Sequence, residues 1–210
     1  MTDDQLLEYF KSEAKKFETP NRYAHSLGVY EECMYYAEKL FLREDERKTL
    51  SFASVLHDIT KDFDDVSQKS ICDRHGLKYE TSPTLHQDTG AFFIRDNYGR
   101  VLGEKTDAVA SAVSKHTTGG NNMSVCDMVL FIADYTEPGR KYENCVKARE
   151  YIHSECEKIT KKDRSAVVKL LAGAVYDICT VTIRHLKARG ETIDIRTENT
   201  RALMHSLMKE

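Results

Sequence analysis

Residues 55–63 read VLHDITKDF. Val55, Leu56 and Ile59 belong to the apolar face of a helix that the spacing predicts over 46–62, and His57 and Asp58 stand directly beside them. Burying an imidazole and a carboxylate is costly unless something compensates them. The stretch therefore predicts a helix that carries chemistry inward. The flanking sequence is helical as well. Residues 3–17 place Leu6, Leu7, Phe10, Ala14 and Phe17 on one stripe. Thr19-Pro20 reads as an N-cap followed by proline at the first helical position, opening a helix to about Leu40 with Leu27, Tyr30, Met34 and Ala37 inward. Asp64 or Asp65 caps a shorter helix ending near Gly76, and helices follow over 83–98, 104–116, 125–136, 144–159 and 163–189. Gly190 is the expected stop of the long one, and a last helix closes the chain. No sustained period-2 alternation interrupts them. The expectation is an all-α bundle in a single domain over 1–210, with a core of about 20–140 and C-terminal helices 144–210 packed on it and available to complete a pocket.

A 210-residue chain with 40% hydrophobic and 31% charged residues has the profile of a globular protein. The formal net charge of −3 gives no global basic field for nucleic acid. No apolar run approaches the roughly 20 residues of a membrane span, and MTDDQLLEYF lacks the basic start of a signal peptide. A cytoplasmic protein without nucleic-acid or membrane partners is expected. The six cysteines form no CxxC pair and read as buried thiols. The amphipathic first helix leaves room for a homodimer. EDERK at 44–48 and KKDR at 161–164 read as solvated charge.

Chemistry concentrates in five places: His25 in RYAHSLG, His57-Asp58 in LHDITK, His86 in LHQDTGA, His116 in SKHTTGG and Asp134 in FIADYTEPGR. Singly, each reads as a hydrogen-bonded core residue or a cap. Together they need a common compensating charge, which a divalent metal supplies. Imidazole with carboxylate suits iron, manganese, zinc or similar ions. Neighbouring helix positions point about 100° apart, so His57 and Asp58 can reach around one ion, or Asp58 can bridge to a second. His25 and Asp134 would complete that site, and His86 and His116 could hold another ion beside it. Two such ions form a clamp for phosphoryl chemistry.

The order H…HD…H…H…D resembles the HD-domain metal-dependent phosphohydrolases. The blocks RYAHSLGVYE, ASVLHDITKD, LHQDTGA, SAVSKHTTG and FIADYTEPGR resemble the YqeK-type branch, the symmetrical bis(5′-nucleosyl)-tetraphosphatases, over residues ~20–190. The resemblance implies that His25, His57, Asp58 and Asp134 bind one divalent metal, iron in this family. It implies that His86 and His116 bind a second ion or face the phosphates. It further places Thr117, Lys61 and Arg140 near a substrate phosphate. The implied activity is hydrolysis of diadenosine tetraphosphate and related dinucleoside polyphosphates to two nucleoside diphosphates by metal-activated water. Asp58 or Asp134 would orient that water, and Lys61 would assist. Another HD-type nucleotidase or phosphodiesterase, or a nucleotide sensor without turnover, would use the same ligands.

A tetraphosphate needs further cations, and Lys61, Lys115, Arg140 and Arg184 are the candidates. Tyr176, Thr180 and Arg184 recur every fourth residue in LLAGAVYDICTVTIRHL and share one helix face. They read either as a nucleotide pocket, with Tyr176 on the base or ribose and Arg184 on phosphate, or as a solvated face. Glu137 either orients a metal-binding histidine or caps the turn at Pro138.

Overall fold

The computed structural model describes residues 1–78, 83–160 and 163–209. Lys161 and Lys162 of the KKDR stretch lie outside them. Among the described residues ten α-helices run in order: α1 Asp3–Phe17, α2 Pro20–Lys39, α3 Glu44–Leu56, α4 Asp65–Arg74, α5 Leu85–Leu102, α6 Thr106–Lys115, α7 Val125–Thr136, α8 Glu143–Cys156, α9 Arg164–Arg189 and α10 Ile195–Leu207. A single 3-10 turn, Gly103–Lys105, joins α5 to α6, and no strand occurs among the described residues. The fold is all-α, as the spacing predicts.

Local chemistry sets the boundaries. Thr19 caps α2 with Pro20 behind it, Asp64 caps α4, and Ser124 closes a capping box with Asp127 at the start of α7. Gly190 ends α9 in the left-handed conformation, φ 67°. Helix α7 is the hub. Val125 to Ala133 are all buried, and it packs against α2, α3, α6, α8 and α9. A helix apolar on every side belongs in the middle of a bundle.

Two expectations are corrected. The inward stripe of α2 is Ser26, Val29, Glu32, Cys33, Tyr36 and Ala37, while Leu27, Tyr30 and Met34 are half-buried on its flank. Ala37 is buried as expected and Tyr30 and Met34 pack against the core from the flank; hydropathy misses the rest of the inward face because it carries His25 and Glu32. Secondly, α9 is long and apolar enough to cross a membrane by length and composition, with a mean hydropathy of 1.7 over 18 residues. Lys169, Asp177 and Arg184 punctuate the run and mask it from a reading by eye. Here α9 packs on α7, α8 and α10 and buries Val167, Leu171, Val175 and Ile178.

Candidate metal centre

The cluster forms where helix ends converge. His57 is the C-cap of α3, His116 the C-cap of α6, and Asp134 lies in the last turn of α7. Helix C-termini carry partial negative charge and favour a cation. His25 enters from the side of α2, and His86 from the first turn of α5. The helix predicted over 46–62 stops at Leu56. Beyond it the chain makes tight turns, with Ile59 N–H donating to Leu56 O (3.2 Å) and Lys61 N–H to Asp58 O (2.8 Å). Thr60 Oγ1 donates to His86 O (3.0 Å) and ties the turn to α5 instead of prolonging α3. His57 and Asp58 therefore aim inward from a turn rather than from a continuous helix.

Distances join all six expected ligands. His25 Nε2 lies 2.9 Å from Asp134 Oδ1 and 4.0 Å from Asp58 Oδ2. His57 Nε2 lies 3.6 Å from Asp58 Oδ2 and 3.9 Å from Asp134 Oδ1. Asp58 Oδ1 is 3.3 Å from His86 Nε2 and 3.4 Å from His116 Nε2. Three sets result, each with its donor atoms within 4.8 Å of one another: His25, His57 and Asp58; His57, His116 and Asp134; Asp58, His86 and His116. Asp58 links the first to the third.

Hydrogen bonds at Nδ1 fix which ring nitrogen of three histidines faces inward. His57 Nδ1–H donates to Ser54 O and His116 Nδ1–H to Val113 O, both at 2.7 Å, and His25 Nδ1–H donates to Glu137 Oε1 at 3.1 Å. Carbonyls and carboxylates accept, so each Nδ1 carries a proton, and His57 and His116 present an Nε2 lone pair, while His25 Nε2 faces the Asp134 carboxylate. His57 Nε2 is buried without a hydrogen-bond partner. An orphaned inward lone pair beside two carboxylates fits a divalent ion. His86 has a second option, because Lys61 Nζ stands 2.9 Å from its Nδ1. Its Nε2 either offers a lone pair or carries a proton towards His116 Nε2, 3.1 Å away.

Electrostatics separate His25 from His57 and His86. Burial pushes His57 and His86 down to about 4 against the pull of Asp58, so both imidazoles are neutral at neutral pH. Burial also opposes charge on His25, but the Asp134 and Glu137 carboxylates outweigh it and raise it to about 9. Asp58 and Asp134 stay well below the carboxylate range: burial works against this, and the surrounding histidines, with Arg140 at Asp134, overcome it. Burial lowers Lys61, whose ammonium donates to Pro83 O (3.0 Å).

Cations line the approach. Arg140 donates from Nε to Asp134 O (3.0 Å) and from its terminal nitrogen to Asp134 Oδ1 (2.8 Å). An open cavity of about 600 Å³ adjoins the cluster, lined by Thr19, Arg22, His25, Glu137, Arg140 and Tyr142. A separate apolar cavity of about 260 Å³ lies between α8 and α9, at Tyr135, Tyr151, Ala174 and Ile178, and includes none of the six cluster residues. Thr117 Oγ1 is 3.1 Å from His86 Nε2, inside the cluster.

Other candidates lie elsewhere. Lys115, a candidate for phosphate, donates to Asp127 Oδ2 (2.8 Å), a buried carboxylate on α7. Tyr176 stacks on His205 of α10 with ring centroids 5.3 Å apart, Thr180 Oγ1 donates to Tyr176 O (2.8 Å), and Arg184 is exposed. Among the described residues, none of these three is joined to the cluster by a hydrogen bond, ion pair or ring contact.

Three residues emerge only from the structure. Arg22 donates to Asp58 Oδ2 (2.8 Å); its position one turn before His25 on α2 was the available signal. Gln87 Oε1 accepts from the backbone N–H groups of Thr117 and Thr118 (3.2 and 3.1 Å) and so holds the HTTG turn. Glu18 is buried near Arg22 with both oxygens unpartnered, and burial raises its carboxyl to about 8.

Residues 22–139 match the HD domain family model. A protein of Halalkalibacterium halodurans named symmetrical bis(5′-nucleosyl)-tetraphosphatase is 32% identical over 136 residues, 62% of this chain and 68% of that protein. Proteins of the same name are 30% identical in Staphylococcus aureus, over 71% of this chain and 75% of that protein, and 26% identical in Bacillus subtilis, over 65% and 72%. The fold is shared with a crystal structure from Clostridium acetobutylicum described as a predicted HD superfamily hydrolase involved in NAD metabolism; the TM-score is 0.73 at 22% identity, over 95% of this chain and 96% of the other. With the HD match spanning the histidine–aspartate cluster, the chain belongs to the HD domain family and is a metal-dependent phosphohydrolase.

Proposed function

We propose that the chain hydrolyses diadenosine tetraphosphate and related dinucleoside polyphosphates symmetrically, giving two nucleoside diphosphates. One observation carries the reading: donor sets sharing Asp58 adjoin a wide cavity bearing Arg22 and Arg140. A long polyanion needs both a cation at the reacting phosphorus and a cationic path leading to it. The names of the bacterial relatives point the same way.

His25, His57, Asp58 and Asp134 would hold one ion, and His86 and His116 a second or the phosphate itself. The donor set suits iron, with manganese or another divalent ion as substitute. Such an ion supplies Lewis-acid polarisation of a phosphoryl oxygen and activates water. Arg22 and Arg140 leave their carboxylate partners for substrate oxygens, where a guanidinium binds bidentately. Asp58 and Asp134 orient the attacking water. Lys61, with His86 and Thr117, faces the oxygens of the phosphate. Attack at a β-phosphorus breaks its bond to the bridging oxygen, and a nucleoside diphosphate leaves. Tyr176, Thr180 and Arg184 remain candidates for the nucleoside end. Free, buried thiols at all six cysteines accord with a reducing, cytoplasmic compartment.

The test is a product assay with diadenosine tetraphosphate and iron(II) or manganese(II), products separated by ion exchange. ADP alone is expected. ATP with AMP would overturn the symmetrical geometry, and absence of turnover would move the substrate to another phosphate ester.

A further inference from the structure

We propose that Gly28 and Gly139 form a slot that presses the Glu137 carboxylate against His25, making Glu137 a positioning residue for the metal centre. The inference rests on the metal-centre reading above and extends it to residues beyond the six ligands.

Gly28 sits in the interior of α2, where glycine is a poorer helix former than alanine. A Cβ at position 28 would stand 2.5 Å from Glu137 Oε2, 3.3 Å from its Cδ and 3.7 Å from its Cβ. A Cβ at Gly139 would stand 2.7 Å and 2.8 Å from the two carboxylate oxygens. The carboxylate thus occupies space that side chains at 28 and 139 would fill. It is 3% exposed and fully engaged. Oε1 accepts from His25 Nδ1–H (3.1 Å), and Oε2 accepts from Gly139 N–H (2.5 Å). The backbone beneath it is pinned: Glu137 N–H donates to Ala133 O, and Arg149 of α8 donates to Thr136 O and Glu137 O, all at 2.9 Å.

A carboxylate held this way fixes which ring nitrogen of His25 carries the proton and where the other points. Such outer partners typically set metal affinity by 10–100-fold. Capping the turn at Pro138 and orienting His25 are here two bonds of one side chain. A cap alone would change stability and leave the imidazole untouched, which gives the test its discrimination. At Gly28, the neighbour that a methyl group displaces is the end of a side chain rather than backbone. Gly28→Ala should therefore move the carboxylate while leaving α2 intact.

The experiment measures manganese(II) affinity by calorimetry for wild type, Glu137→Gln, Glu137→Ala, Gly28→Ala and the Gly28→Ala/Glu137→Ala double variant, with circular dichroism confirming the fold. Histidine nitrogen NMR on the metal-free proteins, recorded above pH 9 where the imidazole is neutral, reports the His25 tautomer. Glutamine has one acceptor oxygen and cannot serve both donors. Glu137→Gln and Gly28→Ala should each weaken manganese(II) by about 10–100-fold and mix the His25 tautomers. Gly28→Ala should add nothing once Glu137 is alanine. Wild-type affinity with an unchanged tautomer in Glu137→Gln overturns the inference, as does a full Gly28→Ala loss in the Glu137→Ala background. Wild-type protein that binds no manganese(II) overturns the metal centre with it. Failure to hydrolyse diadenosine tetraphosphate would overturn the tetraphosphatase reading alone, since manganese(II) affinity and the His25 tautomer are measured without substrate.

Discussion

Asp58 is the residue on which the site turns. Its Oδ1 faces His86 and His116, and its Oδ2 faces His57 and Arg22. Arg22→Ala removes a charge-assisted bond of the kind worth about 1.5–3 kcal/mol, so kcat/KM on a dinucleoside polyphosphate should fall by roughly 10–100-fold. Arg22→Lys should recover part of it, because lysine keeps the charge but not the fork. Steady-state kinetics decides, and an Arg22→Ala enzyme with wild-type kcat/KM would remove Arg22 from substrate binding. Glu18 gives a second prediction at this scale. Its carboxyl is raised by burial from 4.5 to about 8, with Ser26, Arg22 and His25 opposing and Asp58 adding. The folded chain therefore binds the proton more tightly than the unfolded chain. Stability contributed by protonated Glu18 is present below 4.5 and is lost as pH rises towards 8, with an upper bound of about 5 kcal/mol. Urea midpoints of metal-free wild type should fall relative to Glu18→Gln across that window. Parallel pH profiles for the two proteins would show Glu18 ionised throughout.

At the scale of elements, α10 closes the side of the bundle that carries His86 and His116. Arg196 bridges Asp88, two residues beyond His86, at 2.8 and 3.0 Å and also pairs with Asp194. Gly119 in the HTTGG turn lies at φ 70°, and a Cβ there would stand 2.4 Å from Thr200 Cγ2. Both strain and collision oppose a side chain, so Gly119→Ala should cost about 2 kcal/mol and lower Tm by roughly 4–8 °C. An unchanged Tm would show α10 seated loosely on the turn. Arg196→Ala should speed amide exchange across 195–207 while α2 and α7 stay protected. Exchange rising uniformly through the chain would instead make α10 part of the global unfolding unit.

At the scale of the molecule, folding brings together imidazoles and carboxylates from five helices or their ends, with Arg22 and Arg140 each pairing one carboxylate and His57 Nε2 left without a partner. A divalent ion that binds the folded chain alone should stabilise it by about 2.7 kcal/mol at a hundred times its Kd, or roughly 5–11 °C for a chain of this size. Thermal melts with manganese(II) and with chelator test this. The increment should vanish in Asp58→Ala, and an equal shift in that variant would place the ion elsewhere.

The sequence by itself determined the all-α class, the cap at Thr19, a cap at Asp64 or Asp65, the stop at Gly190 and the six residues of the cluster. These are local facts: periodicity, capping chemistry, and buried imidazoles and carboxylates that need a partner. Tertiary structure decided that α3 ends at Leu56, that α2 turns its His25 and Glu32 face inward, that Lys115 serves Asp127, and that Arg22, Glu18 and Gln87 belong around the centre. Each depends on a neighbour distant along the chain: Asp58 lies 36 residues from Arg22, and Thr117 lies 30 from Gln87. Side-chain periodicity reports which face of a helix is apolar. A face made polar by its chemistry is identified only when the elements that pack against it are in place.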